Sequence, residues 1–322
     1  MHWQKSQVSW LKEGDANSKF FHGIMSSRRQ SNSIVSFSSN GRTMEGVNEN
    51  RQIIFQHFSQ HFRRKNHSRP DISGLVFNSI SEADGEFLSR PFLLEEIKEA
   101  VWDCDSYKCP GPDGVNLGFF KDFWELLKVD LLNFFSDFYH HGVLTKGLNS
   151  TFIALIPKVE CPQTVSEFLP IALVSSVYKI LAKVLSNSEK DNKDLLMFKV
   201  DFEKAYDSVD WVYLEEVMLK MNFPSRWRSW IMECVTTASV SVLVNGCPTD
   251  EFRFERGLRQ GDPLSPFLFL LAAEGLNVMM KAMVSENIFT PYVIGARNEV
   301  AVSHLQFADD TLLMGVKSWA NV

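Results

Sequence analysis

The 322-residue chain has no Cys-x-x-Cys pair and no run of cysteine and histidine at zinc-ligand spacing. Its five cysteines, Cys104, Cys109, Cys161, Cys234 and Cys247, are scattered and odd in number. No signal peptide opens the sequence, so the thiols point to a reducing compartment, nucleus or cytoplasm, and away from secretion. Long apolar runs are also missing. The longest, Pro266 to Ala273, stops at Glu274 and falls well short of a bilayer. Positive charge is not in excess either. A formal charge of −6 excludes binding a polyanion through the overall field. Disorder is excluded by composition, because 45% of residues are apolar and only 22% charged, enough to bury a sizeable core.

What charge there is lies unevenly. Residues 1–70 hold eleven Lys/Arg against four Asp/Glu, so a basic arm precedes an acidic body. Such an arm suits a nucleic-acid-contacting tail, and a solvated linker has the same composition. His57 and His61 stand four apart on an expected helix with His67 nearby, but no third metal ligand accompanies them.

The stretch that organises the rest is Ser303 to Met314. Asp309 and Asp310 stand together between two short β-rich apolar runs, which predicts a hairpin with the two acids at its tight turn. Adjacent carboxylates repel, and a divalent cation relieves that cost. A third ligand must come from elsewhere, and Asp201 ends another strand-like run, Leu195 to Asp201. Three carboxylates on neighbouring strand ends can hold two magnesium ions roughly 3.5–4 Å apart, the arrangement used for displacement at phosphorus. A solvated acidic turn is the competing reading, since Asp favours turns.

Several other segments carry a local reading. An amphipathic helix is expected over 91–103, with Leu93, Ile97, Ala100 and Val101 on one face. The loop Lys108 to Gly114 is stiffened by Pro110 and Pro112 and could set backbone amides against phosphate, or simply join two helices. A core helix is expected over 119–138. Thr151 to Pro157 reads as a buried strand ending at Lys158, a point charge suited to an anion. Phe168 to Leu173 and a helix to about Leu185 follow. A helix over 211–221 comes next, then a hairpin turning at Asn245-Gly246. Gly257 and Gly261 permit close approach to the backbone, and Pro263 and Pro266 prepare a buried helix over 267–283.

Taken in order, six blocks resemble the reverse transcriptases of LINE-type non-LTR retrotransposons in the form common in plant genomes. They are Pro-Gly-Pro-Asp-Gly at 110–114, Ala-Leu-Ile-Pro-Lys at 154–158, Leu-Pro-Ile at 169–171, Asp-Phe-Glu-Lys-Ala-Tyr-Asp at 201–207, Gly-Leu-Arg-Gln-Gly-Asp-Pro-Leu-Ser-Pro at 257–266 and Phe-Ala-Asp-Asp at 307–310. The segment Trp10 to His22 is similar to what precedes the polymerase in these elements. The resemblance implies an α+β right-hand fold of fingers and palm with an antiparallel palm sheet. It divides the chain into a basic N-terminal region at 1–90, fingers at 91–190 and an incomplete palm at 191–322, without a thumb. Asp201, Asp309 and Asp310 would be catalytic and would bind two Mg²⁺ ions, or Mn²⁺ in their place, with the carbonyl of Phe202 as a further ligand. Tyr206 would abut the nucleotide sugar and exclude a 2′-hydroxyl. Gln260 and Gly261 would line the nucleotide pocket and Lys158 would reach the triphosphate. The partners implied are an RNA template, a DNA primer and deoxynucleoside triphosphates, with no membrane.

The departures from the family pattern are equally specific. Leu169 stands where the family has an arginine that grips the triphosphate. A fingers segment between Ser188 and Asp194 is expected to be deleted, and the RNase H, zinc knuckle and endonuclease of such elements are not in the sequence. Two functions follow: an RNA-directed DNA polymerase, or a catalytically inactive retrotransposon remnant with weak nucleic-acid binding. A different two-metal phosphotransferase or nuclease shares only the acidic triad.

Overall fold

The computed structural model describes residues 26, 33–34, 36–39, 42–64, 71–159, 162–187, 205–294, 300–307 and 310–313. Side chains within 36–45, at 294 and 300, and within 305–307 and 310–313 are outside that description, as are the strand expected at 195–201 and the segment at 188–194.

The molecule is α+β. Among the described residues, β1 (Ser36–Ser39) pairs with β2 (Arg42–Glu45), β8 (Tyr292–Ile294) pairs with β9 (Val300–Val302), and a five-stranded sheet takes the order β4-β3-β5-β6, with β3 at Ser150–Pro157, β4 at Phe168–Val174, β5 at Ser239–Val244 and β6 at Cys247–Pro248; β7, Phe252–Arg253, also pairs with β5. The sheet is mixed where an antiparallel one was expected. β3 and β4 pair antiparallel, but β3 and β5 run parallel from Ser150↔Ser239 to Ala154↔Leu243. Parallel neighbours need a long crossover, and the helices between β4 and β5 supply it. Pro170 sits in β4, which is tolerable because β4 is an edge strand and its missing N–H faces away from β3. The Asn245-Gly246 turn forms as expected, with φ of 52° and 82°, the two left-handed residues of a primed hairpin turn. Ile34 clasps that turn, donating to Asn245 Oδ1 at 2.8 Å and accepting from its Nδ2 at 3.0 Å.

Two cores flank the sheet. The helix α1, Val47–His61, buries Ile54 and Phe58, with Phe62 just beyond its end, against Val240, Val242, Val244 and Phe254. Part of the basic N-terminal stretch is thus built into the body. The larger core gathers α2 (Glu82–Leu88), α3 (Leu94–Asp103), α4 (Leu117–Asp122), α5 (Trp124–His141) and α6 (Ser176–Asn187) with the later helices α7 (Ala205–Ser208), α8 (Trp211–Lys220), α9 (Ser225–Thr236) and α10 (Ser265–Ser285). The 91–103 expectation holds for Ile97, Ala100 and Val101, which are fully buried, whereas Leu93 is the N-cap and stays exposed.

The single helix expected over 119–138 is two. Phe123, at φ −105° and ψ 24°, separates α4 from α5. Phe119, Phe123, Leu126 and Val129 are exposed there, so this stretch is not wholly core. The helix α10 is apolar and long enough to cross a membrane by composition alone, but here it packs against α8, and Tyr213 donates to the Ala272 carbonyl at 2.9 Å.

The proline-rich loop proves to be a clamp. A Cβ on Gly111 would stand 2.4 Å from the backbone of Val174 at the end of β4. Asp113 accepts a hydrogen bond from the Ser176 amide at 2.5 Å, satisfying an orphan donor at the start of α6. Gly111→Ala is expected to lower stability by about 1–3 kcal/mol, since backbone rather than a flexible side chain must move. The midpoint of urea unfolding checks this, and an unchanged midpoint would refute the clamp.

Candidate nucleotide site

Sequence order puts the candidate residues far apart, and the folded chain brings several together at the β4 edge. The exposed side of β4 receives the 257–261 loop: the Ala172 amide donates to the Gln260 carbonyl at 2.8 Å. The same loop is held to the turn containing Tyr206. Leu258 N donates to the Tyr206 carbonyl at 2.7 Å, Gly257 N to the Val209 carbonyl at 2.8 Å, and Trp211 Nε1 to the Gly257 carbonyl at 2.8 Å. Gly261 adopts φ +100°, a conformation that favours glycine, and a Cβ there would press on the Ala172 carbonyl. Tyr206, Gln260 and Gly261 consequently share one cleft of about 770 Å³. Its walls are β4, α6, the 103–109 loop and the start of α10. Tyr206 is half-buried, with its ring packed on Phe269 at 5.1 Å.

Beneath this loop lies a charged network to which the sequence alone assigns no role. Arg259 and Asp262, both buried, pair at 2.8 Å. Arg259 donates to Asn149 Oδ1 at 2.6 Å, to Thr151 Oγ1 at 3.1 Å and to the Cys234 carbonyl at 3.3 Å, and lies 4.3 Å over the Tyr178 ring. Asp262 accepts from the Tyr178 hydroxyl at 3.0 Å and from Leu264 N at 2.9 Å. Burial raises the Tyr178 phenol well above its ordinary range, so it remains a donor. Burial opposes the Arg259 charge, but the paired Asp262 carboxylate favours it, and the Arg259 pKa is raised. The network ties β3, α6, α9 and α10 to the two residues flanking Gln260-Gly261. Its one signal in the sequence is an arginine and an aspartate three apart in a glycine-bounded loop.

Lys158 does not line the cleft. It is exposed at the end of β3, where its Nζ contacts the Ser166 carbonyl at 3.3 Å and its amide donates to the Glu167 carbonyl at 2.8 Å. Leu169 is half-buried on β4 and pairs in register with Ile156. It shares a strand face with Ile171 and Leu173, which line the cleft together with Ala172, but Leu169 itself is not part of that lining. His61 has a carboxylate partner: its Nε2 meets Asp207 Oδ2 at 2.9 Å, and the His57 ring is parallel to it at 6.1 Å. Arg256 donates to the His61 carbonyl at 2.7 Å.

The acidic hairpin forms in the backbone. β10, His304–Phe307, pairs antiparallel with β11, Asp310–Leu313, and Phe307 stands opposite Asp310. Asp310 therefore opens the return strand rather than sitting in the turn. Asp201, Phe202 and Asp309 lie outside the described residues, and Asp310 is described in its backbone alone. Among the described residues no three His, Cys, Asp or Glu side chains cluster as a metal site. Cys104, Cys109, Cys234 and Cys247 are free thiols.

With this geometry in place, comparison with known sequences gives a consistent result. The profile of the family described as reverse transcriptase (RNA-dependent DNA polymerase) matches residues 142–318. The Transposon TX1 uncharacterized 149 kDa protein of Xenopus laevis is 25% identical across 96% of this chain and 26% of its own length. A retrovirus-related Pol polyprotein from the type-1 retrotransposable element R2 of Nasonia vitripennis is 26% identical across 73% of this chain and 25% of its own length. The chain thus spans about a quarter of the length of these two relatives. An uncharacterized mitochondrial protein of Arabidopsis thaliana is 42% identical over 21% of this chain and 56% of its own length.

Proposed function

Since the chain belongs to the reverse transcriptase (RNA-dependent DNA polymerase) family, we propose that it forms the fingers, over 91–190, and the palm, over 191–322, of an RNA-directed DNA polymerase from a LINE-type non-LTR retrotransposon. The match to an Arabidopsis protein supports a plant origin. The observation that carries the reading is the convergence of Tyr206, Gln260 and Gly261 on one cleft, three residues drawn from two distant blocks. The substrates are an RNA template, a DNA primer with a free 3′-hydroxyl and deoxynucleoside triphosphates.

The chemistry asks for little covalent participation by the protein and much positioning. Three carboxylates, Asp201, Asp309 and Asp310, with the Phe202 carbonyl, form a set of hard oxygen donors of the kind that suits magnesium. Bound there, two Mg²⁺ ions would lower the pKa of the primer hydroxyl and offset charge on the transferring phosphate. The Tyr206 ring, braced by Phe269, would stand against the sugar and leave no room for a 2′-hydroxyl. Gln260 and Gly261, anchored through the Gln260 carbonyl, would set the base and sugar against the β4 edge.

Tyr206→Ala is expected to relax sugar discrimination by about tenfold to a hundredfold, the range open to a site that rejects one added hydroxyl by shape. Ribonucleotide against deoxynucleotide kcat/KM values measure it. Unchanged discrimination would remove Tyr206 from the sugar site.

One observation favours the second reading, a catalytically silent remnant. Leu169 occupies the position in the Leu-Pro-Ile block where an arginine is expected to grip the triphosphate, and it offers no hydrogen bond. Primer extension on an RNA template with Mg²⁺ separates the two: extension by the unaltered chain supports the polymerase, and its absence, with RNA still bound, supports the remnant. If Leu169→Arg lowers KM for deoxynucleotides, the missing grip is restored. If KM stays the same, position 169 does not reach the nucleotide. The basic N-terminal stretch is best tested by neutralising its lysines and arginines, because deleting it would also remove α1 from the core. The slope of log affinity against log salt should become shallower by about one for each phosphate that is no longer neutralised. An unaltered slope would make the stretch a linker.

A further inference from the structure

Among the described residues, one buried cation in the cleft makes no ion pair. Lys179 lies on α6 in an otherwise apolar run, is only 8% exposed, and lines the same cleft as Tyr206 and Gln260. Among the described residues its ammonium makes no hydrogen bond and no ion pair. The carboxylates around it are otherwise engaged. Asp103 faces Lys183 at 3.9 Å, Asp262 is paired with Arg259, Asp105 accepts from the Tyr107 amide at 2.9 Å, and Asp113 caps α6 through Ser176. Lys108 stands at the rim, exposed, and is likewise without a hydrogen bond or ion pair among the described residues. Burial lowers the Lys179 pKa from its ordinary value; Cys104 and Asp113 pull the other way and Lys108 reinforces the lowering. A buried ammonium with no direct hydrogen bond or ion pair among the described residues disfavours the empty fold, and an arriving anion relieves that cost.

We propose that Lys179, with Lys108 at the rim, receives a phosphate group of the polymerase's substrates in this cleft, the interaction that Leu169 does not make. The inference rests on the polymerase reading of the same cleft. A phosphate could reach Lys179 from two sources: the triphosphate of the incoming nucleotide or the backbone of the template strand. The chemistry is shared, an ammonium donating to anionic oxygen as a point charge. A lysine at 179 and one at 183 lie one turn apart on the same helix face, so Lys183 flanks the site while remaining turned to Asp103.

The test uses the full chain and needs no turnover. Binding of a non-hydrolysable deoxynucleoside triphosphate and of a twelve-nucleotide single-stranded RNA is measured for the unaltered chain, Lys179→Gln, Lys179→Arg and Lys108→Gln. Thermal unfolding is followed in parallel. Lys179→Gln is expected to weaken at least one of the two ligands tenfold or more, while Lys179→Arg retains most of the affinity. If the triphosphate is the one affected, free tripolyphosphate competes with it. If the RNA is the one affected, its salt slope becomes shallower by about one. Lys179→Met, an apolar replacement of similar length, is expected to raise Tm while abolishing binding, which a merely structural lysine would not do. Unaltered affinity for both ligands in Lys179→Gln overturns the proposal, as does a Lys179→Met variant with a lower Tm that keeps both ligands. An unaltered chain that binds in a Lys179-dependent way but fails to extend a primer contradicts the polymerase reading alone. Extension unaffected by Lys179→Gln, with affinity also unchanged, contradicts this inference alone.

Discussion

Replacing Asp309 or Asp310 with asparagine should reduce primer extension by about a thousandfold or more, the scale expected when a group acting on the transition state is removed. Asparagine preserves shape and one acceptor oxygen but removes the charge that holds a divalent cation. The loss should therefore fall on kcat, with nucleotide binding little altered, because Tyr206, Gln260 and Gly261 are positioned by other groups. Asp201→Asn should behave in the same way if the three carboxylates act as one unit, and combining it with Asp310→Asn should add little further. Additive losses would mean that the residues serve separate sites. Retained extension in any single variant would exclude that residue from the chemistry.

The second large effect concerns the fold beneath the 257–261 loop. Arg259→Met should destabilise the protein by about 3–5 kcal/mol, the cost of breaking a buried pair from one side. Asp262 would keep the Tyr178 hydroxyl and the Leu264 amide but lose its paired cation, and Asn149 and Thr151 would lose their donor. The double variant Arg259→Met with Asp262→Asn should recover part of that stability, since no uncompensated charge remains. Chemical unfolding of the two single variants and the double gives the coupling directly. A double variant as unstable as the sum of the singles would deny that the two side chains act as a pair. Because the network grips both sides of Gln260-Gly261, the single variant should also raise KM for deoxynucleotides wherever it remains folded.

Local chemistry made parts of this architecture legible. Asn245-Gly246 announced a primed turn, because few other dipeptides take two left-handed conformations in succession. Pro263 and Pro266 marked the start of α10 to within two residues, for the reason that proline is tolerated in a first turn. Ile97, Ala100 and Val101 showed the buried face of α3 by spacing. The break at Phe123 could not be read, since no glycine or proline marks it and the apolar pattern continues through both helices. Nor could the parallel pairing of β3 with β5, a choice fixed by packing between segments some ninety positions apart.

The candidate site divides in the same way. The motif blocks pointed to Tyr206, Gln260 and Gly261, and the folded chain joins them through backbone hydrogen bonds that no sequence pattern displays. Arg259 and Asp262 stand inside a family block without a role of their own, because a loop arginine is ordinarily solvent-exposed and only its burial reveals the network. Lys179 is hidden for a related reason. Its helix reads as core, and the lysine interrupting Tyr178 and Ile180 is the one clue. The His61–Asp207 pair joins positions 146 apart, beyond any local signal.

The claim on which the account turns is that residues 201, 309 and 310 share one divalent-metal centre. Iron(II) bound in place of magnesium, with ascorbate and peroxide, generates hydroxyl radicals that cut the backbone beside the metal. The account predicts two sets of fragments, one ending near residue 201 and one near residues 309–310, both suppressed by excess Mg²⁺ and by Asp310→Asn. Cleavage confined to one of these places, or unaffected by Mg²⁺, would contradict it.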